Sequence, residues 1–277
     1  MFFFPLRDDN PTTGKTWVTW LIIALCCVGF LWQLSLGADG HTAIRALGVT
    51  PATLVGGAQL PPELHTVPVW MTVFTSMFMH GGFLHLAGNM LYLWIFGDNI
   101  EDCVGSKWRY LSLYALCGIA AAFAQSLVDP NSVVPMIGAS GAIAGMLGAY
   151  LILHPRANIV CVIWIFIFFR IVNIPAFLVL GGWIGLQFLN LGQVASNVAY
   201  VAHIGGFVAG MVLIPLFRAK GVALFEKPHS RAFAVAPLRN SNLHVPEMPR
   251  RPEHRPDQPP RPGDSGSNHN PDRHPWS

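Results

Sequence analysis

The sequence predicts an all-α polytopic membrane protein, a six-transmembrane-helix bundle with a disordered C-terminal tail. Three observations carry that expectation. Hydrophobic residues make up 52% of the 277 positions and charged residues only 11%, with a mean hydropathy of +0.45. An average soluble domain carries about 25% charged residues, so this chain lacks the charge to cover a water-facing surface. Between residues 16 and 217 there are five cations (Arg45, Lys107, Arg109, Arg156, Arg170) and six acids (Asp39, Glu63, Asp98, Glu101, Asp102, Asp129), separated by long apolar stretches. Ten of the seventeen Lys and Arg lie from Arg218 onward, beside the last apolar stretch. There they read as a topology signal rather than a nucleic-acid footprint.

A hydrocarbon core of ~30 Å asks for about 20 apolar residues per helix. Spans are predicted at about 16–37, 82–101, 109–128, 138–154, 174–191 and 197–217. The first exceeds a signal-peptide apolar core of about 7–15 residues and reads as a retained span. Residues 38–80 carry Pro51, Pro61, Pro62 and Pro68, too many helix breakers for a span. Residues 159–189 are harder: about thirty nearly unbroken apolar positions, too many for one helix and too few for two with a turn. Pro175 suits a first helical position, so the fifth span starts near it. Residues 159–169, rich in β-branched and aromatic side chains, become an interfacial or loop segment.

Topology favours the same division. With the N-terminus inside, Arg7, Lys15, Lys107, Arg109, Arg156, Arg170 and the tail cations are cytoplasmic, and only Arg45 is outside. A seventh span at 159–169 would move the cationic tail outside. The expected organisation is a cytoplasmic N-terminal segment (1–15), a six-span domain (16–218) and a Pro/Arg-rich disordered cytoplasmic tail (219–277). Residues 227–277 hold eleven of the 22 prolines and bury too little apolar surface to fold alone. The five cysteines show no CxxC spacing and read as buried structural thiols.

Polar groups inside membrane spans are expensive and mark function. The set here is His80, His85, Asn89, Ser140 and His203. Each alone has an ordinary structural reading: a helix cap, a backbone-bonded imidazole, a polar contact between helices. Depth argues for a shared site. Spans two, four and six run from outside to inside, and at 1.5 Å rise per residue their His85, Asn89, Ser140 and His203 fall within about 10 Å of the outer face. Small residues four apart (Gly141 and Gly145; Ala202, Gly206 and Gly210) allow spans four and six to cross closely. Ser140 is then placed as nucleophile and His203 as its general base, later the acid that protonates the leaving amine. The only acid between Arg109 and Arg218 is Asp129, in an outer loop, so a Ser–His dyad is expected rather than a triad. His85 and Asn89 share a helix face and can donate to an oxyanion, as can the backbone N–H of Ser140 at a helix start. His80 and His85 lack the intervening Glu of a zinc-protease helix motif, and no span carries a mid-membrane Asp pair.

His80-Gly81-Gly82-Phe83-Leu84-His85-Leu86-Ala87-Gly88-Asn89, Gly138-Ala139-Ser140-Gly141 and Ala202-His203-Ile204-Gly205-Gly206 together, in that order, resemble the rhomboid intramembrane serine proteases over residues 16–217. The resemblance implies a rhomboid-like bundle that cleaves single-span or polytopic membrane protein substrates within or next to their membrane span. It implies no metal and no cofactor, the lipid bilayer as surroundings, and no nucleic-acid partner. It also implies catalytic roles for Ser140 and His203, oxyanion stabilisation by His85 and Asn89, a loop-supporting role for His80 and a structural one for Glu101. Two positions depart from a common pattern: Trp70-Met71 where many members have Trp-Arg, and Ala144 where some have an aromatic ring over the imidazole. The alternative is a catalytically silent rhomboid-like factor that binds or traffics membrane proteins. The expected location is the bacterial cytoplasmic (inner) membrane with both termini cytoplasmic.

Overall fold

The computed structural model describes residues 2–165, 168–191, 198–228, 230 and 232–233. Its helices are α1 (Trp17–Ser35), α2 (Gly40–Leu47), α3 (Pro51–Leu54), α4 (Val69–Thr75), α5 (Phe83–Val104), α6 (Lys107–Val128), α7 (Ser140–Leu153), α8 (Ala176–Leu189) and α9 (Tyr200–Phe217). Three strands, β1 (Phe2–Asp8), β2 (Asn158–Ile165) and β3 (Phe168–Pro175), form one antiparallel sheet in the order β1-β2-β3. The chain is thus mostly helical, and the all-α expectation is amended by this sheet. Residues 159–169 were expected as an interfacial or loop segment; all but the undescribed 166–167 lie in a hairpin instead. β-branched and aromatic side chains fit a pleated surface better than a helix, and the N-terminal Phe2–Asp8 supplies the third strand.

α1, α6 and α9 are long and apolar enough to cross a membrane, with mean hydropathies of 1.9, 1.7 and 1.8; α7 and α8 are shorter apolar helices. Trp20, Leu21, Val28 and Leu31 of α1 are exposed, as are Leu127 of α6 and Val212 and Leu216 of α9. Apolar helix faces of that extent are matched by lipid, not water. The chain is an integral membrane protein.

α7 is the central helix. From Ala142 to Tyr150 every residue is buried, between α5, α6 and α9. Glycine makes this possible: a β-carbon on Gly206 would overlap the carbonyl oxygen of Gly141, and one on Gly210 that of Gly145. The predicted close crossing of these two helices is therefore backbone against backbone, where dispersion contacts replace side chains.

One end of the bundle is tied by polar groups. The Glu101 carboxylate of α5 accepts from the backbone N–H groups of Val18 (2.9 Å) and Thr19 (2.7 Å) and from Thr19 Oγ1 (2.8 Å), capping α1. Arg109 of α6 donates to the carbonyls of Leu216 and Arg218 at 2.9 and 3.1 Å, satisfying the end of α9. Asp8 of β1 accepts from Asn99 Nδ2 of α5 at 2.8 Å and from the Tyr150 hydroxyl of α7 at 2.7 Å. Beyond α9 the chain stays attached: Ala219 N–H donates to the Cys103 carbonyl at 2.8 Å, and Glu226 Oε2 lies 2.9 Å from His154 Nδ1. The expected tail from 219 onward is thus anchored at its start, and residues 234–277 lie outside the described residues.

Candidate active site

At the opposite end, α5, α7 and α9 begin side by side. Ser140 opens α7 and His203 lies in the first turn of α9. Their helices touch through glycine backbone, and Ser140 Oγ comes within 2.8 Å of His203 Nε2. His203 Nδ1 is 2.8 Å from Gln187 Oε1 of α8, while Gln187 Nε2 donates to the Trp183 carbonyl at 3.3 Å. The amide orientation fixes the protons. Gln187 Oε1 only accepts, so Nδ1 of His203 carries the hydrogen and Nε2 offers a lone pair to the Ser140 hydroxyl. The imidazole is in the tautomer a general base requires.

Gly138 turns the chain into α7 with φ +114°, a conformation L side chains rarely adopt. A β-carbon there would stand 2.8 Å from His85 Nε2 and 3.5 Å from Asn89 Nδ2. Both side chains of α5 therefore converge on the backbone just before Ser140. Gly81 N–H donates to His85 Nδ1 at 3.3 Å, which leaves Nε2 as the protonated nitrogen facing Gly138. Asn89 Nδ2 is buried with no hydrogen-bond partner among the described residues. An unsatisfied buried N–H costs about 1–3 kcal/mol, so it marks a place prepared for an acceptor. The N–H of Ser140 has no intrahelical partner, being in the first turn. A cavity of about 50 Å³ opens beside Ser140 among Val73, Ser76, Met77, Gly141, Ala142 and Ala202.

Of the sequence-predicted residues, Ser140, His203, His85 and Asn89 are thus brought together. His80 is set apart. It is fully buried, edge-on to His85 at 5.3 Å between ring centres, and its backbone is clamped by Gln33, whose Nε2 donates to the His80 carbonyl at 2.7 Å. Ala144 is fully buried in α7 and offers no ring; the Trp183 ring lies 5.7 Å from that of His203, tilted 36°. Sequence reasoning missed Gln187 and Trp183. A signal existed: Gln187 is an amide inside an apolar stretch, about 6 Å from its predicted outer end at 1.5 Å per residue, the depth of the other polar groups.

A rhomboid-domain sequence profile matches residues 68–220, which include the paired Ser140 and His203 and the two α5 donors. The chain belongs to the rhomboid family. It is 31% identical over 202 residues to "Rhomboid protease GluP" of Bacillus subtilis (strain 168), covering 71% of this chain and 34% of that protein. It is 32% identical over 180 residues to "Rhomboid protein 1, mitochondrial" of Saccharomyces cerevisiae, covering 60% of this chain and 46% of that protein. "Putative rhomboid protease YdcA" of Bacillus subtilis is 30% identical over 155 residues, 52% of this chain and 65% of that protein. The chain therefore spans between a third and a half of the length of the first two relatives. The rhomboid match begins before α4 ends and stops just past α9; β1 and α1 lie outside it.

Proposed function

We propose that this chain is an intramembrane serine endopeptidase that cleaves single-span or polytopic membrane proteins within or next to their membrane span. The observation that carries the reading is the 2.8 Å contact between Ser140 Oγ and His203 Nε2, with the imidazole held in the accepting tautomer. Three relatives named as rhomboid proteases or rhomboid proteins support the same class.

In the proposed reaction the Ser140 oxygen attacks the scissile carbonyl carbon while its proton passes to His203 Nε2. The carbonyl oxygen becomes an oxyanion, stabilised by donors already in place: His85 Nε2–H, Asn89 Nδ2–H and the Ser140 N–H. His203 then gives its proton to the leaving amine as the carbon–nitrogen bond breaks. Water, deprotonated by the same imidazole, then bonds to the acyl carbon, and the carbon–oxygen bond to Ser140 breaks as His203 returns the proton to the Ser140 oxygen. The cavity of only about 50 Å³ beside Ser140 favours a substrate with a short side chain at the cleavage site.

The proposed setting is a six-span bundle of α1, α5, α6, α7, α8 and α9, with both termini cytoplasmic in a bacterial inner membrane and a Pro/Arg-rich tail beyond 219. The 14 residues of α7 span about 21 Å at 1.5 Å each, against a hydrocarbon core of ~30 Å. With its inner end at the inner face, Ser140 is sunk about 9 Å below the outer one, so a substrate must bring extended backbone down to it.

Purified full-length protein in liposomes, with a single-span reporter, tests the proposal. Cleavage is expected for wild type and is lost in Ser140→Ala and His203→Ala. Reporter binding without cleavage by folded wild type would replace it with the binding-factor reading.

A further inference from the structure

In α8 the buried residues are Ala176, Val179, Leu180 and Gln187. Beyond Leu180, then, the only buried side chain is a polar one. Gly181, Gly182 and Gly185 have open space where a β-carbon would stand, so the outer half of α8 gains little from close backbone packing. Burying an amide here, in place of a leucine, sacrifices hydrophobic stabilisation unless its hydrogen bonds are needed. Gln187 spends both ends of its amide on one chain of contacts, from the Trp183 carbonyl (3.3 Å) to His203 Nδ1 (2.8 Å). Trp183, four residues earlier on the same face, sets its ring 5.7 Å from the imidazole, and Phe207 stacks against that indole at 6.2 Å.

We propose that Gln187 and Trp183 are the positioning residues of His203, so that α8 rather than an acid completes the catalytic group. The proposal rests on the protease reading above. The hydrogen bond fixes the tautomer and the ring plane, the two tasks a buried aspartate performs in a Ser–His–Asp triad. A neutral amide does so without placing an unpaired carboxylate in a low-dielectric site. The indole face attracts the imidazolium formed in the transition state, the task that Ala144 cannot perform from α7. Activity of Ser140 is thereby tied to the seating of α8. The titratable groups facing His203 are Ser140 from α7 and His85 from α5; α8 presents only the uncharged pair.

The test is kinetics of the full-length protein in liposomes across pH, with thermal melting of each variant as a folding check. Gln187→Leu is expected to lower reporter kcat about 10- to 100-fold with KM within about twofold. Gln187→Glu keeps the acceptor and adds a charge that favours the protonated imidazole, so the acid limb of kcat/KM moves to higher pH. A Leu variant with wild-type kcat, or a Glu variant with an unmoved limb, overturns the positioning role while leaving the protease reading intact. If the Leu variant does not fold, the limb of the Glu variant decides alone. Wild type that neither cleaves the reporter nor is labelled at Ser140 by a fluorophosphonate overturns the protease reading, and this inference with it.

Discussion

Gly138 stands so close to His85 that a β-carbon on the glycine would lie 2.8 Å from both Cε1 and Nε2 of the imidazole. The glycine also needs its φ of +114° to deliver Ser140 to the start of α7. Gly138→Ala is therefore expected to lose reporter cleavage and to destabilise the protein by about 1–3 kcal/mol, although Ser140 and His203 are untouched. Thermal melting beside fluorophosphonate labelling checks this; an alanine variant labelled at the wild-type rate would show that the close approach is not needed.

Asn89 aims an unpartnered amide at the same spot. Removing one oxyanion donor costs about 10²–10³ in kcat where the donor acts only in the transition state. Asn89→Ala should show that loss with little change in KM. Single-turnover measurements separate the two, and a variant with raised KM and intact kcat would reassign Asn89 to substrate binding.

The Ser140–His203 distance depends on how closely α7 and α9 pack. A methyl on Gly206 runs into the Gly141 carbonyl, whereas one on Gly182 of α8 meets nothing within 4 Å. Gly206→Ala is expected to lower the melting temperature and abolish cleavage; Gly182→Ala leaves both near wild type. Equal effects of the two substitutions would remove the close crossing as their cause.

At the end of the bundle away from Ser140, burial pushes the Asp8 carboxyl up to about 7, against the lowering effect of the Tyr150 hydroxyl. A raised folded-state value means the folded protein holds the proton more tightly than the unfolded chain. The docking of β1 is thus firmest below about pH 4, weakens as pH rises from 4 towards 7, and is constant above that. Amide hydrogen exchange in residues 2–8, corrected for intrinsic rates, should show protection falling across this window in wild type and flat in Asp8→Asn. A wild-type profile as flat as that of the variant would mean Asp8 does not titrate there.

Much of the candidate site was legible before any coordinates. His85, Asn89, Ser140 and His203 are polar groups in apolar stretches, and helical rise converts their positions into one depth. The small-residue spacings were legible for the same reason, since a helix repeats every 3.6 residues and glycine has one use at a buried crossing. Gln187 was missed because a search for a third catalytic group was a search for an acid. Trp183 was missed because an aromatic residue in an apolar helix is unremarkable until its neighbour is known.

The sequence by itself determined that this chain lives in a membrane and where its long apolar helices run, because hydropathy is a local property; the short helices α2, α3 and α4, within the stretch 38–80 read as a loop, it did not announce. Only the tertiary structure decided what touches what. It drew Phe2–Asp8 across more than 150 residues of chain to the β2–β3 hairpin, a strand pairing that no local pattern announces. It chose which imidazole nitrogen carries the proton, through an amide on α8, and turned Gly138 so that two α5 donors face one point. Such relationships are set by packing between distant segments, where the energy of a contact depends on the partner and not on the residue alone.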